Sequence, residues 1–418
     1  MFLKSLELEN IRCFPHLFVD FDLPGGSNRK WSVVLGENGT GKSTLLRSIA
    51  LIKAGSDALP GLVGQPGNWI RKGAETARIR AEIETKEGQA RAIELVIGIK
   101  DSISEIIARS RESLAPLNAA LEHTQRNYFV AGYGSSRRLG GRVFSGQNEG
   151  GSFSLPRARS VISLFDRYAE LNPLESWAMT LDYRSDGAGM NAVAQVLNDF
   201  LPEMTFSRID KRSEALLIKT PDGEVPLQQL SDGYQSVAAW VGDLLYRVTE
   251  TFEDYSSPLS IRGLLIVDEI DLHLHPKWQR RLLDFLNDRL PNMQLVVTTH
   301  SVVTAQQAPE GSLFFLQRGT DGVGIQGFAG DPGKLLVNQL LMSEAFGHAV
   351  DESLVVEQAK ERYRAVARRD ASQPEMAAAK AEVEKTIGSD YGVGDDKAFL
   401  TPDQRRLLEK IKKEYAGE

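Results

Sequence analysis

Short, mainly apolar runs alternate with longer amphipathic stretches along this chain. Trp31 to Leu35 (WSVVL) is a short apolar, β-branched run interrupted only by Ser32, the pattern of a strand buried on both faces. Leu264 to Val267, Gln294 to Thr298 and Ser312 to Leu316 repeat it. Phe2 to Leu8, Leu17 to Phe21, Ile79–Ile83, Ala92–Ile97, Tyr128–Ala131 and Ala215–Thr220 are further strands, several of them alternating. Helical spacing covers Ser43 to Ala54, Asp101 to Arg126, about Ser160 to Leu201, Ser236 to Glu250, and Lys277 to Arg289 with Trp278, Leu282 and Phe285 on one side. Gly132 to Ser154, rich in Gly, Ser and Arg, predicts a mobile loop. Beyond Gly330 the chain turns polar and helical, and Thr401-Pro402-Asp403-Gln404 opens a last helix over Arg405 to Tyr415. Buried strands interleaved with helices predict an α/β fold with a mostly parallel sheet covered on both faces.

The period of the pattern divides the chain into a first lobe (1–100), a mainly helical insertion (101–204), a second lobe (205–330) and a helical C-terminal arm (331–418). At 418 residues it can bury a large core without covalent staples. The lone cysteine, Cys13, excludes an internal disulfide and a Cys-rich zinc site. With 49 Lys and Arg against 56 Asp and Glu, the net charge is −7, so nucleic-acid contact would need a local patch or a partner. No apolar stretch is long enough for a transmembrane helix, and Glu7 and Glu9 break any signal-peptide core. A reducing, cytoplasmic setting is expected.

Chemistry concentrates at three strand ends. Gly36-Glu37-Asn38-Gly39-Thr40-Gly41-Lys42-Ser43 fits G-x-x-x-x-G-K-[ST] between a strand and a helix. Glycines there let backbone N–H groups close on phosphate oxygens, and the helix begun by Lys42, Ser43 and Thr44 adds its positive end. Lys42 supplies a point charge to the outer phosphates and Ser43 a hydroxyl to Mg²⁺. The run LLIV ends in Asp268 and Glu269. Two acids closing a buried strand are costly unless something positive waits there. Mg²⁺–ATP fits, with Asp268 on the metal and Glu269 as the base that orients or deprotonates water. Thr298-Thr299-His300-Ser301 ends the next apolar strand.

Leu230-Ser231-Asp232-Gly233-Tyr234-Gln235-Ser236 resembles the signature motif of ABC-type ATPases. The resemblance implies that Ser231, Gly233 and Gln235 contact nucleotide held by a second subunit, that Asp271 is an aspartate of the dimer interface, and that His300 senses the γ-phosphate. NIRCF near the start and DEIDLHLHP after the acidic strand resemble the RecF/SMC/OLD-like branch, which places Arg12 near the nucleotide. These motifs cover about half the chain. Val337 to Leu341 and Ser343 to Gly347 are similar to PtuA-like ATPase subunits of Septu-type anti-phage systems. The resemblance implies an α/β P-loop NTPase with an ABC-ATPase-like mixed or parallel sheet, a helical insertion and a C-terminal helical arm.

The sequence departs from the family in two places. No lid glutamine is assignable; Tyr133 to Arg138 (YGSSRR) stands where it belongs, and its arginines either meet phosphate or solvate a loop. The insertion is too short for a coiled-coil rod. No nuclease signature stands out, and His273 and His275 read as structural or interface residues. Two functions follow from the resemblance: a Mg²⁺-dependent ATPase that dimerises around ATP and gates an effector, such as an HNH nuclease, in phage defence; or a RecF-like clamp binding DNA itself. A transporter subunit is disfavoured by NIRCF and DEIDLHLHP.

Overall fold

The computed structural model describes residues 2–23, 28–85, 88–122, 129–137, 156–172, 204–210, 215–251, 261–347, 353–367 and 373–387, with scattered positions between 174 and 198. The Gly- and Arg-rich loop after Arg137, most of the helical stretch up to 201, and the helix expected from Arg405 lie outside the described residues. One compact unit runs from Met1 to His348; a second spans Ala349 to Glu418.

The first unit contains a four-stranded and a six-stranded sheet. The four-stranded sheet has the order β2 (Phe14–Asp20), β1 (Phe2–Ile11), β4 (Thr76–Glu84), β5 (Ala90–Gly98), all antiparallel. Strict alternation in β4 buries Ala77, Ile79, Ala81 and Ile83 and leaves Arg78, Arg80 and Glu82 outside. On that outer face Arg80 pairs across the strands with Glu94 at 2.6 Å and Glu7 at 3.5 Å. The alternation predicts these strands, but not that they form an antiparallel sheet of their own.

The six-stranded sheet has the order β13 (Val323–Gly327), β12 (Leu313–Arg318), β3 (Trp31–Gly36), β11 (Met293–Thr298), β10 (Gly263–Val267), β6 (Phe129–Tyr133). Neighbours run parallel except β12 and β13. Its strands, mainly apolar, are buried on both faces, as the central strands of a covered parallel sheet are. Helix α1 (Lys42–Lys53) packs between the sheets; Leu45, Leu46 and Ile49 join the core of β1, β4 and β5. Helix α2 (Ile103–Glu122) follows β5. On the other face, α3 (Asp232–Thr251) buries Val237, Trp240, Val241 and Leu244, and α4 (Pro276–Arg289) buries Leu282, Leu283 and Leu286. Three short strands, β7 (Thr205–Asp210), β8 (Ala215–Thr220) and β9 (Gly223–Pro226), form a meander before α3.

In the second unit, α5 (Leu354–Ala367) and α6 (Gln373–Ile387) pair, with Ala359 and Val383 buried and Arg362 bonded to Glu382 at 2.8 Å. No helix among the described residues is long and apolar enough to cross a membrane.

Candidate nucleotide site

Four parallel strands end at one edge of the sheet, where ligands of open α/β sheets bind. From β3 comes the glycine loop, from β11 Thr298 to His300, from β10 Asp268 and Glu269, and from β6 the segment Gly134 to Arg137. Residues far apart in sequence thus become neighbours.

The loop is shaped by its glycines and held from outside. Gly41 is the N-cap of α1 at φ 97°, and a Cβ there would stand 2.5 Å from Cys13 Sγ and 2.7 Å from Phe14. The β1–β2 turn therefore lies directly on the loop. Arg318 of β12 donates from Nη2 to the Gly39 carbonyl at 2.8 Å. Gly39 itself has φ 79° with open space where a Cβ would be, so its backbone is approachable. That opening and the start of the 12-residue α1 fit a phosphate.

The reactive side chains rest on the protein. Lys42 Nζ donates to the carbonyls of Gly36 at 2.7 Å and Glu37 at 3.0 Å. Burial lowers its pKa, while the charges of Asp268 and Glu269 oppose the shift. Ser43 donates to Asp268 Oδ2 at 2.6 Å, and Thr298 donates to Asp268 Oδ1 at 2.6 Å. A hydroxyl beside a carboxylate is a hard oxygen pair, suited to Mg²⁺, which needs only one or two protein oxygens beside substrate phosphates. Thr44 is buried in the first turn of α1.

Glu269 adopts φ 49°, in the left-handed region, at a cost of roughly 1–2 kcal/mol for a residue with a side chain. Its N–H donates to Thr298 Oγ1 at 2.7 Å. Arg137, buried at 8% exposure, donates from Nη2 to the carbonyls of both Asp268 and Glu269, the latter at 2.6 Å, and from Nε to Gly134 O at 3.1 Å. Burial brings its pKa down to about 10 against the pull of Asp268, Asp271 and Glu269.

His300 stands with Gly36, Glu37, Thr40 and Arg318 around a pocket of about 310 Å³. Its pKa is lowered, first by burial and then by the charge of Lys42. The turn Glu344–Phe346, closed by left-handed Gly347, forms another wall of this pocket.

Other candidates take different places. Asp271 is buried at 6% exposure, and its Oδ2 accepts from Thr299 and Thr304, both at 2.7 Å. Arg12 occupies the β1–β2 turn at φ 47°; its guanidinium lies 5.3 Å from the Trp69 ring and donates to Asn68 O at 2.8 Å. Cys13, the next residue, contacts Thr40 O at 3.7 Å. Ser231 and Asp232 are exposed at the start of α3. Gly233 is required by packing, since a Cβ would stand 2.5 Å from His273 O. Gln235 turns back to donate to Gln228 O at 2.9 Å and Leu230 O at 2.6 Å. With Ser136, Arg137 and Glu269, the residues Asp232, Gln235 and Ser236 line a groove of about 640 Å³. His275 caps α4 by accepting the Lys277 N–H at 3.2 Å.

The sequence marks Thr298 only as the end of an apolar run, not as the partner of Asp268 and Glu269, and nothing in it marks Arg318. The two hydroxyls ending the apolar run, Thr298 and Thr299, were the available signal.

Comparisons with known proteins identify the domains of the chain. Residues 5–127 match the family described as "AAA domain", and residues 163–305 match "AAA domain, putative AbiEii toxin, Type IV TA system". The chain carries AAA-family ATPase domains. It is 24% identical to the Septu protein PtuA of Bacillus mycoides (strain KBAB4) over 316 residues, covering 75% of this chain and 40% of that protein. It is 28% identical to the "Retron Ec83 probable ATPase" of Escherichia coli over 137 residues, 33% of this chain and 25% of that one. It is 31% identical to the Septu protein PtuA of Bacillus thuringiensis over 113 residues, 27% and 28% of the two chains. The chain thus spans two fifths or less of the length of these relatives. Among solved structures, an Smc head bound to the C-terminal winged-helix domain of ScpA matches 78% of this chain and 98% of its own at 12% identity and TM-score 0.49.

Proposed function

We propose that this AAA-domain protein is a Mg²⁺-dependent ATPase that closes in pairs around ATP and gates an effector protein, such as an HNH nuclease, in phage defence. The observation that carries the reading is the 2.6 Å contact between Ser43 Oγ and Asp268 Oδ2, which joins the glycine loop to the acidic strand end.

Phosphate oxygens entering the open backbone at Gly39 would draw Lys42 Nζ off the carbonyls of Gly36 and Glu37, exchanging neutral acceptors for charged ones. Ser43 and Asp268 would hold Mg²⁺, which when bound polarises the phosphate oxygens. The Glu269 carboxylate would take the proton of a water attacking the γ-phosphorus, as the bond to the β–γ bridging oxygen breaks to give ADP and phosphate. His300, its pKa lowered, would donate a hydrogen bond to the γ-phosphate from the neutral ring. The exposed Ser231 hydroxyl at the start of α3 suits a second copy's phosphates, so each protomer would complete its twin's pocket. Kinship with Septu PtuA proteins and retron ATPases supports the defence role and an effector partner.

The test is Glu269→Gln in the full chain. It is expected to bind ATP, elute as a dimer with ATP, and hydrolyse at least 100-fold more slowly than the parent. Hydrolysis at the parent rate refutes the assignment of the base; DNA binding by the chain alone, steeply salt-dependent and ATP-dependent, would favour the clamp.

A further inference from the structure

Glu269 holds an unfavourable backbone conformation, and something must hold it there. In an extended strand successive carbonyls point to opposite sides. One amino group can therefore bridge the carbonyls of Asp268 and Glu269 only where the chain has turned between them. Arg137 Nη2 makes that bridge, while Thr298 Oγ1 holds the Glu269 N–H.

Arg137 is also an expensive way to fasten a turn. It is buried at 8% exposure, and its Nη1 has no hydrogen-bond partner among the described residues. Burying a guanidinium with two of its five N–H donors unmatched costs stability that an apolar side chain would not. Nε fixes the other end of the head on Gly134 O, just past β6. The guanidinium therefore spans from the end of β6 to the end of β10.

We propose that Arg137 is a positioning residue for the general base: by bridging the Asp268 and Glu269 carbonyls it maintains the left-handed turn that directs the Glu269 carboxylate. This rests on the ATPase reading above. Arg137 acts through Glu269 and not on nucleotide affinity. Lysine keeps the charge but has one nitrogen, so it cannot serve Gly134 and the two carbonyls together.

The experiment is single-turnover ATP cleavage by the full chain, with nucleotide affinity measured separately, for the parent, Arg137→Lys, Arg137→Ala, Glu269→Gln and the Arg137→Ala/Glu269→Gln double variant. Arg137→Ala should cleave about 100-fold more slowly with nucleotide affinity within threefold of the parent. Guanidinium ion added at millimolar concentration should restore part of the Arg137→Ala rate and none of the Glu269→Gln rate. In the Glu269→Gln background, Arg137→Ala should cost nothing further. Arg137→Lys, which keeps a buried cation, should fold like the parent and still lose at least tenfold in rate. A parent that binds but never cleaves ATP overturns the ATPase reading. A parent that cleaves, with Arg137→Ala at the same rate, with a loss confined to affinity, or with additive losses in the double variant, overturns the positioning role alone.

Discussion

Lys53 closes the helix that Lys42 opens, and it is fully buried. Burial lowers its pKa from 10.5 to about 7. At about 1.36 kcal/mol per pH unit, that displacement corresponds to roughly 5 kcal/mol of lost stability at neutral pH. The sign follows from proton counts. Between about pH 7 and 10.5 the unfolded chain binds the Lys53 proton and the native chain does not, so this group makes stability rise with pH across that window and adds nothing to the slope below it. Lys53→Met keeps most of the length of the side chain, one atom short, and removes the titrating amine. Allowing for imperfect packing of the thioether, the variant should gain roughly 2–4 kcal/mol at pH 7, with the gain shrinking toward pH 10.5. Urea unfolding followed by the fluorescence of buried Trp31, Trp69 and Trp240 would measure both proteins at pH 7, 8.5 and 10. Equal pH slopes in parent and variant, or a variant less stable at pH 7, refute the reasoning.

Other substitutions separate shape from chemistry. Gly233→Ala drives a Cβ to within 2.5 Å of the His273 carbonyl and should cost about 1–3 kcal/mol, read as a lower thermal midpoint. Gly39→Ala meets no atom, so it should cost only about 1 kcal/mol of left-handed strain while weakening nucleotide binding at least tenfold, because the new methyl fills the cradle. Ser43→Ala should spare nucleotide affinity in EDTA and abolish the gain that Mg²⁺ gives the parent, measured by titration of a fluorescent ATP. His300 should titrate below 6.5 by NMR, and Lys42→Met should raise the midpoint by removing the neighbouring charge.

The parts of the site that were legible in the sequence are those whose chemistry is local. The glycine loop, the acids after LLIV and the histidine after QLVVTT each carry their meaning within a few residues. Unbroken apolar runs likewise marked the strands that bring them to one edge. Alternation in β1, β4 and β5 gave strands and faces but not partners, since a period of two says which side is buried and not what lies alongside. Helical spacing places the start of α3 at Ser236, but the helix begins at Asp232, because Gln235 folds back on the carbonyls of Gln228 and Leu230 and lets the helix begin inside the signature segment. Arg318 on Gly39, Thr298 on Asp268 and the turn at Gly347 depend on contacts across long stretches of chain, which no local pattern encodes.

What the assembled site adds is a division of labour between scaffold and reactive groups. The loop backbone is fixed from outside, by Cys13 and Phe14 against Gly41 and by Arg318 on Gly39 O, so it need not reorganise to meet phosphate. The side chains that would act are instead bonded to the protein itself: Lys42 to two carbonyls, Ser43 to Asp268, Asp271 to two threonines. A ligand must outcompete those bonds before it is held. Charged phosphate oxygens outbid carbonyls for Lys42, but Ser43 leaves a carboxylate only for a cation that satisfies both oxygens. Metal and nucleotide should therefore bind cooperatively, each raising the affinity of the other by the same factor. If Mg²⁺ leaves nucleotide affinity unchanged, the Ser43–Asp268 contact is not the latch that this geometry makes it.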